Sequence, residues 1–467
     1  MLPICSPWVY REKGNYQFMT LRVAIVGAGP AGIYAADLLL KEDGIPDVSI
    51  DLFERLPAPY GLVRYGVAPD HPRIKGIVNS LREILDSGHI RLFGNVNFGA
   101  DITLEDLKRH YHAVIFATGA RNDASLDIPG IELPGSYGAA DFVSWYDGHP
   151  DVPLDWSLEA KEVAIIGNGN VALDVARMLV KRPKDLYPTE IPDNVYRALE
   201  SSQVTDVHVY GRRGPRHVKF TPLELRELGE LGDVDIILDD RDFIDREGAE
   251  RLGAQGKQGA VIERIFDEWR NRDVGSASRR LHFHFFAKPL EIFGTTAVEG
   301  LSYERTWIDF EGRVSGTGEI ANLHVQAVYR AVGYHGSPIP GLPFDEDRGV
   351  IPNHAGMVLS DARVPTPGVF VTGWIKRGPI GLIGHTKSDA METVSSLRDA
   401  MRSFWSPTQA DPGCIVDLLR SRGVKFTSLS GWHKLDEREI KLGTAKKKER
   451  LKVVSRGEML EVMESGR

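Results

Sequence analysis

The sequence predicts an α/β protein in which one dinucleotide-binding domain is inserted into another. Two Gly-rich turns, each set between an apolar strand and a helix-like segment, point to two nucleotide-binding units. A third observation gives the interruption: the strand-and-glycine segment YHAVIFATGA has a counterpart, GVFVTG, some 250 residues later.

The first unit opens with the apolar run 23–26, read as a buried strand. A Gly turn, the helical AGIYAADLLLK and the strand 48–53 follow. The second repeats this order with strand 162–167, a Gly turn, helical NVALDVARMLVK and strand 204–211, after an insertion, KRPKDLYPTEIPDNVYRALESSQ, that must be helical or looped. Residues 111–120 and 368–373 each read as a strand ending in a Gly turn, and their separation predicts one domain interrupted by the other. The expected division is 19–122 with 330–467 for the outer domain and 123–329 for the inserted one. Residues 1–18 are expected to lie outside the core, and linkers are expected at 148–155 and 248–259, where apolar periodicity is lost. Both domains are read as Rossmann-like.

Hydrophobic residues make up 42% and charged residues 26% of 467, a globular balance. A net charge of −8 provides no general field for nucleic acid or an anionic membrane. Apolar runs fall short of the roughly 18 residues needed to span a bilayer, so no membrane insertion is expected. The two cysteines, Cys5 and Cys414, exclude a C-x-x-C redox pair and a four-cysteine iron-sulfur site, and no metal centre is expected. Electrons would have to be handled by a bound organic cofactor. The first eighteen residues lack a secretory signal or transit-peptide character, so a bacterial cytoplasm is the expected location, ahead of a mitochondrial matrix.

Gly27-Ala28-Gly29-Pro30-Ala31-Gly32 fits G-x-G-x-x-G directly between strand and helix. The first glycine permits the turn, the second lets a pyrophosphate approach, and the third packs helix on strand. Glu54 closes the second strand roughly twenty residues on, where a carboxylate accepts hydrogen bonds from ribose hydroxyls and repels a 2′-phosphate. FAD or NAD fits this unit and NADP does not. Gly167-Asn168-Gly169-Asn170-Val171-Ala172 is the G-x-G-x-x-A form. Its second strand ends in Arg212 and Arg213 instead of a carboxylate, two guanidiniums suited to a phosphate dianion, which selects NADP.

PYGLVRYGVAPDHPRIK, GNGNVALDVAR, GRRGPRHVKFTPLELREL, RAVGY and GWIKRGPIGLIG together resemble the adrenodoxin reductase-like family of ferredoxin-NADP reductases across nearly the whole chain. The resemblance implies a glutathione reductase-like arrangement, FAD and NADP as cofactors, and electron flow from NADPH through FAD to a small iron-sulfur protein of the ferredoxin type. It places Gly61, Leu62, Val67, Ala117, Thr118, Gly119, Gly373, Trp374, Gly381, Leu382 and Ile383 with the first glycine motif along FAD, Trp374 against the flavin. It also places His71 near the nicotinamide, Glu227 opposite it, and Gly381 where the nicotinamide needs room. A helix from Thr386 onward would direct its N-terminal dipole at the reduced flavin. Arg264, Arg270, Arg272, Arg279 and Arg280 are candidates for a basic docking rim. Two other readings stay open: an electron-input subunit similar to the small subunit of glutamate synthase, whose cysteine-rich segments are missing here, and a nucleotide-binding regulator without turnover.

Overall fold

The structure, a computed structural model, describes residues 9–12, 15–18, 20–45, 47–243, 256–309, 311–381 and 384–465, the first two stretches as backbone only. Val9–Glu12 and Asn15–Phe18 pair as an antiparallel hairpin. Most of the expected N-terminal extension and residues 248–255 of one expected linker lie outside the described residues.

The chain then enters its outer sheet with β1 (Leu21–Val26), α1 (Pro30–Leu40), β2 (Val48–Phe53), β3 (Ile90–Phe93), α2 (Leu104–His110) and β4 (Ala113–Phe116). Every residue of β1 is buried, as expected for a parallel strand covered on both faces. Val23 and Ile25 pack under α1, whereas Ala24 and Val26 join Phe116 and Val371 on the other face.

The inner unit follows: β5 (Ser136–Gly138), α3 (Ala139–Tyr146), β6 (Glu162–Ile166), α4 (Asn170–Val180), β7 (Asp206–Tyr210), α5 (Pro222–Gly229), β8 (Val234–Leu238), α6 (Gly256–Arg270) and β9 (Arg279–His284). An antiparallel sheet of β10 (Ala287–Phe293), β11 (Gly300–Ile308) and β12 (Val314–Leu323) comes next, then β13 (Ala327–Arg330). The inner sheet runs β8-β9-β7-β6-β13-β5, with every pairing parallel. Val163, Val207 and Leu281 face α4 and α6, while Ala164, Ile166 and Tyr210 face the antiparallel sheet, which the sequence reading did not anticipate.

The chain returns to the outer sheet through β14 (Asn353–His354), β15 (Met357–Leu359) and β16 (Pro365–Val371), giving the order β14-β15-β16-β4-β1-β2-β3. Helices α7 (Gly384–Ala400), α8 (Pro412–Ser421), α9 (Leu429–Ala445) and α10 (Arg456–Glu464) complete it. Passage between the sheets occurs at Asn122–Asp123 and Tyr334–His335, which pair antiparallel. The expected linker at 148–155 is instead a loop of the inner unit, following α3, and residues 256–259 begin α6.

Candidate functional site

Gly27 has φ 111°, and a Cβ there would collide with the carbonyl of Ala117. A Cβ on Gly32 would strike the carbonyl of Gly27, so the third glycine closes α1 onto β1. Gly29 caps α1 without a side-chain hydrogen bond, and Pro30 begins the helix, leaving the first-turn N–H groups for a ligand. The nearest atom to a Cβ on Gly29 would be the Cα of Gly61, at 3.9 Å. Glu54 bends onto this turn: its carboxylate accepts from the amides of Ala28 at 2.8 Å and Leu56 at 3.1 Å.

Other expected flavin-side residues gather around the same turn. Tyr60 donates its amide to the Ala28 carbonyl at 2.8 Å, setting Gly61 and Leu62 beside it, with half-buried Val67 just beyond. Ala117 is anchored to Val26 at 2.8 Å, ahead of half-buried Thr118 and of Gly119 at φ 75°. A Cβ on Gly373 would come within 2.7 Å of the Ala31 Cβ, so β16 ends against the first turn of α1. Asp389 of α7 accepts the Gly373 amide at 2.5 Å. Trp374 stacks on Tyr334 with centroids 5.9 Å apart. Gly381 is exposed at φ 88°, whereas Leu382 and Ile383 lie outside the described residues.

The second turn repeats this logic. A Cβ on Gly167, at φ 150°, would collide with the Ala331 carbonyl, while Gly169 has open space where its Cβ would be. Half-buried Val171 lies in the first turn of α4, which Asn170 opens. Two hydrogen bonds fasten the loop after β7 to the turn: the Lys219 amide donates to the Asn168 carbonyl at 3.0 Å, and the Thr221 amide to the Asn170 side-chain Oδ1 at 3.0 Å. That loop carries exposed Arg212 and half-buried Arg213. Arg213 Nε, both ring nitrogens of His217 and Asn168 Oδ1 are buried without a hydrogen-bond partner, a costly state that an anionic, polar ligand would relieve. Burial, with Arg213 and Arg216 next in weight, pushes the His217 pKa down. Its part was not foreseen.

His71 lies at the joint between the units and is only 5% exposed. Its Nε2 is 2.9 Å from Asp174 Oδ1 and its Nδ1 is 3.2 Å from Glu227 Oε2, bringing together the expected pair. Burial alone would lower its pKa, but hydrogen bonds to Asp174 and Glu227 outweigh it and raise the value to about 9. Arg177 Nη2 also lies 2.7 Å from His71 Nε2, and Arg177 makes a two-pronged bond to Asp70 at 2.9 and 3.0 Å. The two carboxylates take both ring N–H groups and so favour the charged ring beside the Arg177 guanidinium. Asp174 and Arg177, three residues apart on α4, were missed, although both lie inside the GNGNVALDVAR motif.

The five arginines considered for docking do not share a face. Arg279 turns inward to the carbonyls of Leu179 and Lys181, both at 3.1 Å, whereas its strand neighbour Arg280 points oppositely and binds Asp206. Arg270 pairs with Asp240 and Arg272 donates to Gly229 O, while Arg264 is exposed. Among the described residues, Asp206, His208 and His282 bring one donor atom each within 4.8 Å of the others, a group that could hold a metal ion where the sequence predicts none. No helix of the described residues is long and apolar enough to cross a membrane.

Residues 21–208 match the family model for pyridine nucleotide-disulphide oxidoreductases. The chain is 40% identical to NADPH-ferredoxin reductase FprA of Mycobacterium tuberculosis, with 94% of this chain and 98% of that protein covered. It is 37% identical to the mitochondrial NADPH:adrenodoxin oxidoreductase of Homo sapiens, covering 96% and 93%. The chain belongs to the adrenodoxin reductase-like family of ferredoxin-NADP reductases. A solved structure of M. tuberculosis FprA in complex with NADPH superposes on this family member with a TM-score of 0.88 and 39% identity, over 95% of this chain and 99% of that one. The reductase fold thus carries two glycine turns at the carboxyl ends of the parallel strands of its two large sheets, where ligands of such sheets bind.

Proposed function

We propose that this chain is an FAD-dependent NADPH:ferredoxin oxidoreductase, with FAD held by residues 19–122 and 330–467 and NADPH by 123–329. The observation carrying the reading is the opposite chemistry of the two turns: a carboxylate folded onto the first, and Arg213 Nε and both His217 ring nitrogens buried without a hydrogen-bond partner beside the second. The residues fit both groups. The open, uncapped starts of α1 and α4 suit pyrophosphates, and the unpaired atoms around Asn168 suit a phosphorylated ribose.

When bound, the cofactors supply the redox chemistry: hydride passes from NADPH to the flavin, and electrons leave singly to a small iron-sulfur protein. The chain aligns the two rings and keeps them dry. Trp374, backed by Tyr334, would cover the flavin, and the left-handed backbone at Gly381 would leave room for the nicotinamide. His71, with a proton on each ring nitrogen near neutrality, holds Glu227 and Asp174 in place, so that Glu227 would orient the carboxamide end of the nicotinamide. A bacterial cytoplasm is part of the proposal, in keeping with the mycobacterial relatives.

The test is direct. Purified protein is expected to be yellow, to bleach when NADPH is added without air, and to reduce cytochrome c faster once a ferredoxin is supplied. A colourless protein that takes up NADPH but not FAD would support the regulator reading instead.

A further inference from the structure

The outer face of the inner sheet carries a ladder of titratable side chains that the proposed function does not use. Register places Glu162, Asp206 and Arg280 side by side across β6, β7 and β9, and His208 beside His282 in the next row of the same face. The His208 and His282 rings stack at 4.2 Å with planes 15° apart. One donor atom each from Asp206, His208 and His282 lies within 4.8 Å of the others.

Three details distinguish this group from an ordinary hydrogen-bonded cluster. His208 is 5% exposed, yet its Nε2 is buried without a hydrogen-bond partner, 3.6 Å from Glu162 Oε2. Its other nitrogen lies 3.0 Å from His284 Nε2. With the proton of this contact on His208 Nδ1, the Nε2 lone pair is left free, as happens when an outer partner fixes a ligating imidazole. Asp206 is oriented in the same way: Oδ2 takes Thr205 at 2.8 Å and Arg280 at 2.6 Å, while Oδ1 meets His282 Nε2 at 2.9 Å and Arg280 Nε at 2.5 Å.

We propose that Asp206 Oδ1, His208 Nε2 and His282 Nε2, with Glu162 as the fourth ligand, form a site for a divalent late first-row transition ion, zinc(II) above others. Two imidazoles and two carboxylates are a donor set that zinc accepts with four ligands, whereas calcium and magnesium favour all-oxygen sites. An ion here takes the place of the proton between His282 Nε2 and Asp206 Oδ1; that proton moves to His282 Nδ1, leaving a neutral imidazole ligand, and Arg280 keeps Oδ2. Because β6, β7 and β9 are adjacent strands of the NADP-side sheet, the ion would staple them from the face opposite α4.

The experiment uses full-length, FAD-loaded protein stripped with EDTA, then titrated with zinc(II) alone against a chromophoric chelator. The expected result is one zinc per chain, with affinity lowered at least about tenfold in His282→Gln while the flavin spectrum and NADPH-driven dye reduction are unchanged. Absence of stoichiometric zinc, or equal affinity in His282→Gln, overturns the proposal. Should that variant not fold, Glu162→Gln, at the more exposed rim, decides: a loss of about tenfold supports the site and unchanged affinity overturns it.

Discussion

Glu54 and Arg213 occupy comparable points of two related units, each just past the second strand, and carry opposite charge. The double variant Arg212→Ala with Arg213→Ala is expected to lose about 1.5–3 kcal/mol of NADPH affinity per charged hydrogen bond removed, with NADH binding nearly unchanged. Titration with both nucleotides checks this, and equal weakening would defeat the assignment. Glu54→Ala is expected to shed FAD during gel filtration, with NADPH affinity intact. For His71 the sign follows from its raised pKa of about 9, against about 6.5 in an unfolded chain. Its stabilising charge is fully present below pH 6.5 and is lost as pH rises through 9. Thermal melts of the parent and His71→Gln are therefore expected to differ most near pH 6 and to converge above pH 9. The glycine and charge positions were legible because they sit at set places, the turn and the second strand end, of a recognisable strand–turn–helix–strand unit. Asp174 and His217 were not, because their importance comes from side chains over fifty residues away in one case and from burial in the other.

At the scale of elements, the parallel strands were readable because burial on both faces leaves an unbroken apolar run, as in VAIV and VAII. The antiparallel sheet of β10, β11 and β12 was not. β12 is largely exposed, and its alternation is too weak to mark a strand. The insertion before β7 combines both forms the sequence allowed, two short helices, Pro183–Leu186 and Asp193–Glu200, joined and flanked by loop. Gly167→Ala tests how far the second turn depends on its backbone. The added methyl meets the Ala331 carbonyl in a left-handed conformation, at a cost of about 1–3 kcal/mol. Weakened NADPH binding with full flavin content is the expected outcome, measured by nucleotide titration and the flavin spectrum.

Across the whole molecule, the units are locked by buried ions drawn from distant segments. Lys452 Nζ reaches Glu190 at 2.7 Å, Lys75 reaches Glu190 at 2.5 Å, and Asp147 lies beside both lysines. Burial raises the Asp147 pKa to about 6, the two lysines holding it from rising further. Lys452→Met leaves Glu190 and Asp147 short of a partner and is expected to cost about 3–5 kcal/mol, read as a lower denaturation midpoint. No local pattern in the sequence announces this cluster, since its members come from four separate stretches. The side-by-side crossings at Asn122–Asp123 and Tyr334–His335 bear on how the protein is made. A ribosome delivers the first four strands of the outer sheet, then more than two hundred residues of guest domain, before β16 emerges to flank β4. The guest can finish folding while its host still has an open edge, so on a nascent chain the glycine turn after β6 should mature ahead of the one after β1.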